Sequence, residues 1–167
     1  MVIPQEIREL IESGPLAHVT TLNSDGSPQV SVVWVGVDGN EFITAHLGEW
    51  QKVKNLRKDP RVALSLLGRG KNAMGLQEYL VVYGKARITE GGAAELLQRL
   101  ARIYLGPDVE FPPEPLRSKP GFITHIAPVR YAGLVAVPKR THTAGRGWLP
   151  SPRRVYKECA GFVAPGR

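Results

Sequence analysis

Cysteine is nearly absent from this chain: a single residue, Cys159, stands among 167. One thiol forms no internal disulfide, and Cys159 has no neighbours that would make it part of a metal site. The expectation is therefore a reducing, cytoplasmic setting with no bound metal. Long apolar runs are missing too. Nothing approaches the roughly 20 residues that span a bilayer, so no membrane association is expected. The start, Met1-Val2-Ile3-Pro4-Gln5-Glu6, lacks the basic-then-apolar order of a secretory signal. There is no defensible paired-carboxylate, Ser/His/Asp or Cys/His arrangement, and no Walker or Rossmann glycine pattern. These absences set aside the common hydrolytic and nucleotide-binding chemistries.

Acid is scarce at one end. Lys139, Arg140, Arg146, Arg153, Arg154, Lys157 and Arg167 against Glu158 give residues 138–167 a net charge of +6, out of +7 for the whole chain. The basic character belongs to this Pro/Gly/Arg-rich tail, which argues against a nucleic-acid surface on the body. The domain division is accordingly 1–137 for the folded domain and 138–167 for the tail.

What is present reads as a mainly β chain. Residues 4–12 carry Pro4 at a first helical position and Ile7, Leu10 and Ile11 at helical spacing. Strand signals at 16–22, 29–37 and 41–46 are separated by turn clusters, giving a meander. A short helix over 49–58 ends at Asp59-Pro60. Strands follow at 61–67 and 77–89, with a glycine-rich loop at 68–75 between them. A helix at 92–105 and an irregular proline-rich crossing at 106–120 lead to strands at 122–126 and 129–137. Residues 30–35 and 79–83 are apolar on both faces, although a half-exposed antiparallel strand should alternate. The barrel interior covers one face only, so a partner subunit, a helix or a flat ligand must cover the other.

The densest polar feature is the run Gln51-Lys52-Val53-Lys54-Asn55-Leu56-Arg57-Lys58-Asp59-Pro60-Arg61. It starts at a helix N-terminus, where free amides and the helix dipole favour an anion. Lys52 in the first turn can meet that anion, and Arg57 can add a forked contact. On spacing alone a solvated basic face is the better account of the run. Trp34 and Trp50 flank the slot so formed and can stack on a planar ring.

Taken together, the segment Asp25-Gly26-Ser27-Pro28-Gln29-Val30-Ser31-Val32-Val33-Trp34 and the helix Lys52-Val53-Lys54-Asn55-Leu56-Arg57-Lys58-Asp59-Pro60-Arg61 resemble the pyridoxamine 5′-phosphate oxidase-like superfamily. They are most similar to its branch using the deazaflavin coenzyme F420. The resemblance covers residues 4–137. It implies a six-stranded antiparallel split β-barrel with short flanking helices, and a homodimer with two sites at the subunit interface. It also implies hydride transfer between reduced F420 and a small electron-poor or conjugated acceptor. Lys52 is then the phosphate contact, assisted by Asn55 and Arg57. Ser31, Val32, Val33 and Trp34 line the ring, as do Thr44, Ala45 and His46. The proton source is left open between solvent, Tyr79 and His46. The alternatives are an FMN-dependent oxidase or reductase of the same fold, or a non-enzymatic flavin- or tetrapyrrole-binding protein. The arginine-rich substrate motif of pyridoxine-phosphate oxidation has no counterpart here.

Overall fold

A computed structural model describes residues 1–72 and 74–133. Helix α1 (Gln5–Glu12) leads into β1 (Ala17–Leu22), β2 (Pro28–Val33), β3 (Gly36–Asp38) and β4 (Glu41–His46). Helix α2 (Gln51–Lys58) follows, then β5 (Arg61–Lys71), β6 (Gln77–Glu90), α3 (Ala93–Tyr104), the single turn α4 (Glu114–Arg117) and β7 (Phe122–Gly133). The strands form one antiparallel sheet in the order β2-β1-β5-β6-β7-β4-β3.

The sheet has seven strands among the described residues, not the six the resemblance implies, because the strand expected over 29–37 breaks in two. At Val35 the backbone N–H donates to the Tyr104 hydroxyl (3.1 Å) instead of to a neighbouring strand. That hydroxyl donates in turn to the Pro15 carbonyl (2.8 Å). The break closes the architecture. β2 and β3 are the two outer edges of the sheet, yet only Trp34 and Val35 separate them. Three Cα–Cα steps reach at most about 11 Å, so the sheet must curl to bring these two strand ends together. The result is a curled, barrel-like sheet that stays open between β2 and β3.

Three further expectations need correction. Residues 68–71 continue β5 instead of forming a loop, because Gly68 and Gly70 lie against Glu78. A Cβ there would come within 2.8 and 2.7 Å of that side chain, and Gln77 donates to both glycine carbonyls (2.7 and 2.9 Å). The strands expected at 122–126 and from 129 onward are one strand up to Gly133. Pro128 sits inside it at a bulge: Tyr83 pairs with Arg130 but Gly84 with Pro128, which leaves Val129 over and spares the missing N–H a ladder role. The 106–120 crossing contains the helical turn α4. The boundary at 137 and the tail 138–167 lie outside the described residues.

Phe42, Leu64, Leu80, Val82 and Ile126 fill the barrel, joined by Ile7 and Ile11 of α1 and Leu56 of α2. β4 is buried on both sides. Phe42, Thr44 and His46 face inward, while Ile43 packs on Leu96 and Leu100 of α3. The two-sided strands behave differently. Leu80 and Val82 are buried, but Val30 and Val32 on β2 are 57% and 56% exposed and Tyr83 on β6 is 40% exposed. The outer face over β2 and β6 thus carries exposed apolar side chains within one chain.

Candidate functional site

The site is assembled where β4 ends and α2 begins. Trp50 holds the N-cap position of α2 in an extended conformation. Its carbonyl accepts from the amides of Val53 (2.9 Å) and Lys54 (3.2 Å). No side chain caps this end, which leaves the amides of Gln51 and Lys52 for an outside acceptor. The helix buries Val53, Asn55 and Leu56. Position 52 falls at the margin of that buried face, so the Lys52 side chain is half-buried. Burial pushes its ammonium below the ordinary lysine value. Among the described residues Lys52 makes no ion pair or hydrogen bond. A half-buried cation without a counter-ion is costly unless something anionic joins it.

His46 stands beside it. The register of β4 and β7 sets Thr44 opposite Thr124, and the His46 Nε2 lies 3.1 Å from the Thr44 hydroxyl and 3.2 Å from that of Thr124. All three residues are buried. Burial first, and the charge of Lys52 second, push the imidazole pKa down to about 3. At neutral pH His46 is therefore uncharged and does not compete with Lys52 for an anion.

A second polar chain ties α2 to the sheet. The Asn55 amide donates to the Thr21 hydroxyl (3.1 Å) and the Asn23 side-chain oxygen (2.9 Å), and accepts from Gln51 (2.8 Å). Thr21 donates to Gln29 (2.9 Å), whose amide donates to Ser31 (2.8 Å). Asn55 is thus committed inside the protein and positions α2. Arg57 is committed as well: it pairs with Glu49 and with Glu90 (2.6 Å), and its guanidinium lies 5.2 Å from the Phe122 ring centroid. Lys54 and Lys58 point to solvent. With Ser24, Glu49, Gln51, Asn55 and Arg57 they line a cavity of about 380 Å³ that does not include Lys52.

The expected ring-lining residues divide between the two faces of the sheet. Thr44 and His46 face the barrel beside Lys52, whereas Ala45 faces α3. Ser31 and Val33 point inward and Val32 outward. Trp34 leaves the strand to stack on Tyr104 (5.3 Å between centroids, 14°) and meet Phe111 (5.1 Å). Tyr79 lies far along β6. His46 pairs with Phe122 and Phe122 with Glu90, eleven residues beyond Tyr79. At about 3.3 Å per residue that is about 36 Å along the strand, so Tyr79 does not reach the Lys52 site of its own chain. Sequence reasoning missed Thr21, Gln29 and Thr124. Their alternation with apolar neighbours marks them as inward-facing, but only strand register reveals what they meet.

Residues 3–132 match the family model for pyridoxamine 5′-phosphate oxidase. The chain belongs to the pyridoxamine 5′-phosphate oxidase family. Among solved structures, an F420 reductase is 26% identical, with 78% of this chain and 98% of that one covered and a TM-score of 0.62. A conserved hypothetical protein from Mycobacterium tuberculosis is 24% identical, with 88% and 94% covered and a TM-score of 0.63. HupZ of Group A Streptococcus is 21% identical, with 86% and 100% covered and a TM-score of 0.58, and adds support for the fold. No curated protein matches the chain. As a member of this family the chain keeps the antiparallel sheet with few helices. Among the described residues no helix is long and apolar enough to cross a membrane, and no cluster of His, Cys, Asp or Glu is suited to a metal ion.

Proposed function

We propose that this protein is an oxidoreductase that binds coenzyme F420 and reduces a small electron-poor or conjugated acceptor, with FMN as the alternative cofactor on the same site. The observation that carries the reading is Lys52: a half-buried ammonium without a partner among the described residues, at an uncapped helix N-terminus, beside a histidine held neutral. That donor set suits a phosphate, which both cofactors carry. Lys52 and the amides of the first turn of α2 would hold it, and the network around Asn55 keeps the helix in place. Family membership supports flavin-type redox chemistry, and the similarity to an F420 reductase favours the deazaflavin. Bound there, the reduced cofactor supplies a hydride; the protein orients its ring against the acceptor and keeps water from competing. A cytoplasmic location follows from the same reading, because such a cofactor is met inside the cell.

The active unit in this proposal is a homodimer. The bare outer face bearing Val30, Val32 and Tyr83 offers the apolar surface for a second copy. Two measurements test the proposal. Parallel titrations with F420, FMN and biliverdin should give binding of F420 that is tighter than that of FMN, and no uptake of biliverdin. Tight biliverdin binding alone would turn the protein into a tetrapyrrole carrier. Sedimentation should give about twice the 18.3 kDa chain mass at micromolar concentration, and a monomer in the presence of cofactor would remove the shared site.

A further inference from the structure

We infer that His46 is a further donor to the phosphoryl group that Lys52 holds, its imidazole fixed by Thr44 and Thr124 in the tautomer that carries the hydrogen on Nδ1. This rests on the cofactor reading above and adds a residue that binds the anion without bringing charge. The tautomer follows from counting hydrogens. The ring is 6% exposed and neutral, so one nitrogen carries a hydrogen and the other accepts. Nε2 lies 3.1 Å from the Thr44 hydroxyl and 3.2 Å from that of Thr124. Both threonines are buried, and neither hydroxyl has another hydrogen-bond partner among the described residues. A hydrogen on Nε2 would leave both hydroxyl hydrogens buried without an acceptor, which is costly. With Nε2 as the acceptor, both hydroxyls donate to its lone pair, and the ring hydrogen sits on Nδ1.

Nδ1 has no partner among the described residues. It is not sealed in either: the Tyr131 hydroxyl is the one fully buried side-chain polar atom among them left without a partner. Three observations set this nitrogen with Lys52. His46 faces the barrel interior beside Thr44, at the end of β4, where α2 begins. On α2, Lys52 stands three and four residues before Asn55 and Leu56, so the three share one side of the helix. That side is turned to the sheet, since Leu56 enters the barrel core and Asn55 bonds to Thr21. Lastly, the charge of Lys52 is felt at the imidazole, second only to burial. The end of the barrel under α2 thus gathers an ammonium and an imidazole N–H with no acceptor for either among the described residues. Donors gathered in this way suit an anion. A neutral donor also adds no second desolvated charge beside Lys52.

The test uses the full chain labelled with an NMR-active nitrogen isotope. The ring nitrogens of His46 are followed at neutral pH and assigned by their absence from His46→Gln. Without ligand, Nε2 should show the shift of an acceptor nitrogen and Nδ1 that of an N–H. Inorganic phosphate, FMN and F420 should each move the Nδ1–H signal downfield and slow its exchange with water, and phosphate-free riboflavin should not. In parallel titrations His46→Phe, which keeps a flat ring but no donor, should weaken FMN and F420 by about tenfold or more and leave riboflavin within about twofold. If the hydrogen is found on Nε2, or if FMN or F420 binds with the Nδ1–H signal unmoved, the proposal is overturned while the cofactor reading stands. If phosphate moves the signal but neither FMN nor F420 binds, the donor stands and the cofactor reading falls. A wild-type protein that takes up neither cofactor and does not respond to phosphate overturns both.

Discussion

Replacing Lys52 by alanine removes one charge from one place. The side chain is half-buried, has no carboxylate to compensate it among the described residues, and lies in the first turn of α2. A hydrogen bond to a charged group contributes roughly 1.5–3 kcal/mol, so Lys52→Ala should weaken phosphate-bearing cofactors by about ten- to a hundredfold. Lys58→Ala is the control. Lys58 is an exposed residue at the far end of the same helix, where a surface charge contributes about 0–1 kcal/mol. The assay is fluorescence titration of both variants with F420 and FMN at two ionic strengths. Salt should weaken the wild type more than Lys52→Ala, which has already lost the screened contact. pH adds a signature. Because burial lowers the Lys52 pKa, its charge is lost earlier than that of an ordinary lysine, and wild-type affinity should fall as pH rises through the alkaline range below that ordinary value. Lys52→Ala should be flat there. Melting temperature should not drop, since removing an uncompensated, partly buried cation relieves a desolvation cost. Equal and negligible losses in the two variants, with the same pH profile, would return the helix to a solvated basic surface.

Three other outcomes follow from the same geometry. His46 has a folded pKa near 3 against an ordinary 6.5, so below pH 6.5 the unfolded chain takes up a proton that the folded chain refuses. Stability is full above that pH and should decline toward pH 3 by up to about 1.4 kcal/mol per pH unit; melting curves of His46→Gln should lack this slope, and coincident curves would refute it. Asn55→Ala removes the donor to the buried Thr21 hydroxyl and to the Asn23 side-chain oxygen, and urea unfolding should register a loss of about 1–3 kcal/mol for the two bonds together. Val32→Lys puts a charge on the bare outer face; circular dichroism should be unchanged while sedimentation shifts to the monomer mass, and a persistent dimer would place the interface elsewhere.

How far the sequence was legible depends on the range of the interaction concerned. β4 was readable to the residue at 41–46, and α1, α2 and α3 to within one or two positions, because turn residues and helical spacing are local signals. The break at Trp34-Val35 was not readable, since it is made by Tyr104, far away in sequence. Nor was the extension of β5, because glycines signal loops until the strand opposite, with Glu78, demands their missing side chains. The site followed the same rule. Lys52 stood out from its place in a helix cap. The commitment of Asn55 to Thr21, and of Arg57 to Glu49 and Glu90, depended on strand pairing that no local pattern encodes.

The two-residue link between β2 and β3 has a consequence for how the barrel breathes. Every other junction between neighbouring strands is laced by a ladder, so any swelling of the interior must open at this one seam. The Tyr104 hydroxyl ties the link at Val35 to the Pro15 carbonyl, which makes the Val35 N–H a gauge of movement there. Its hydrogen exchange should quicken in Tyr104→Phe while amides of β5 and β6 stay protected.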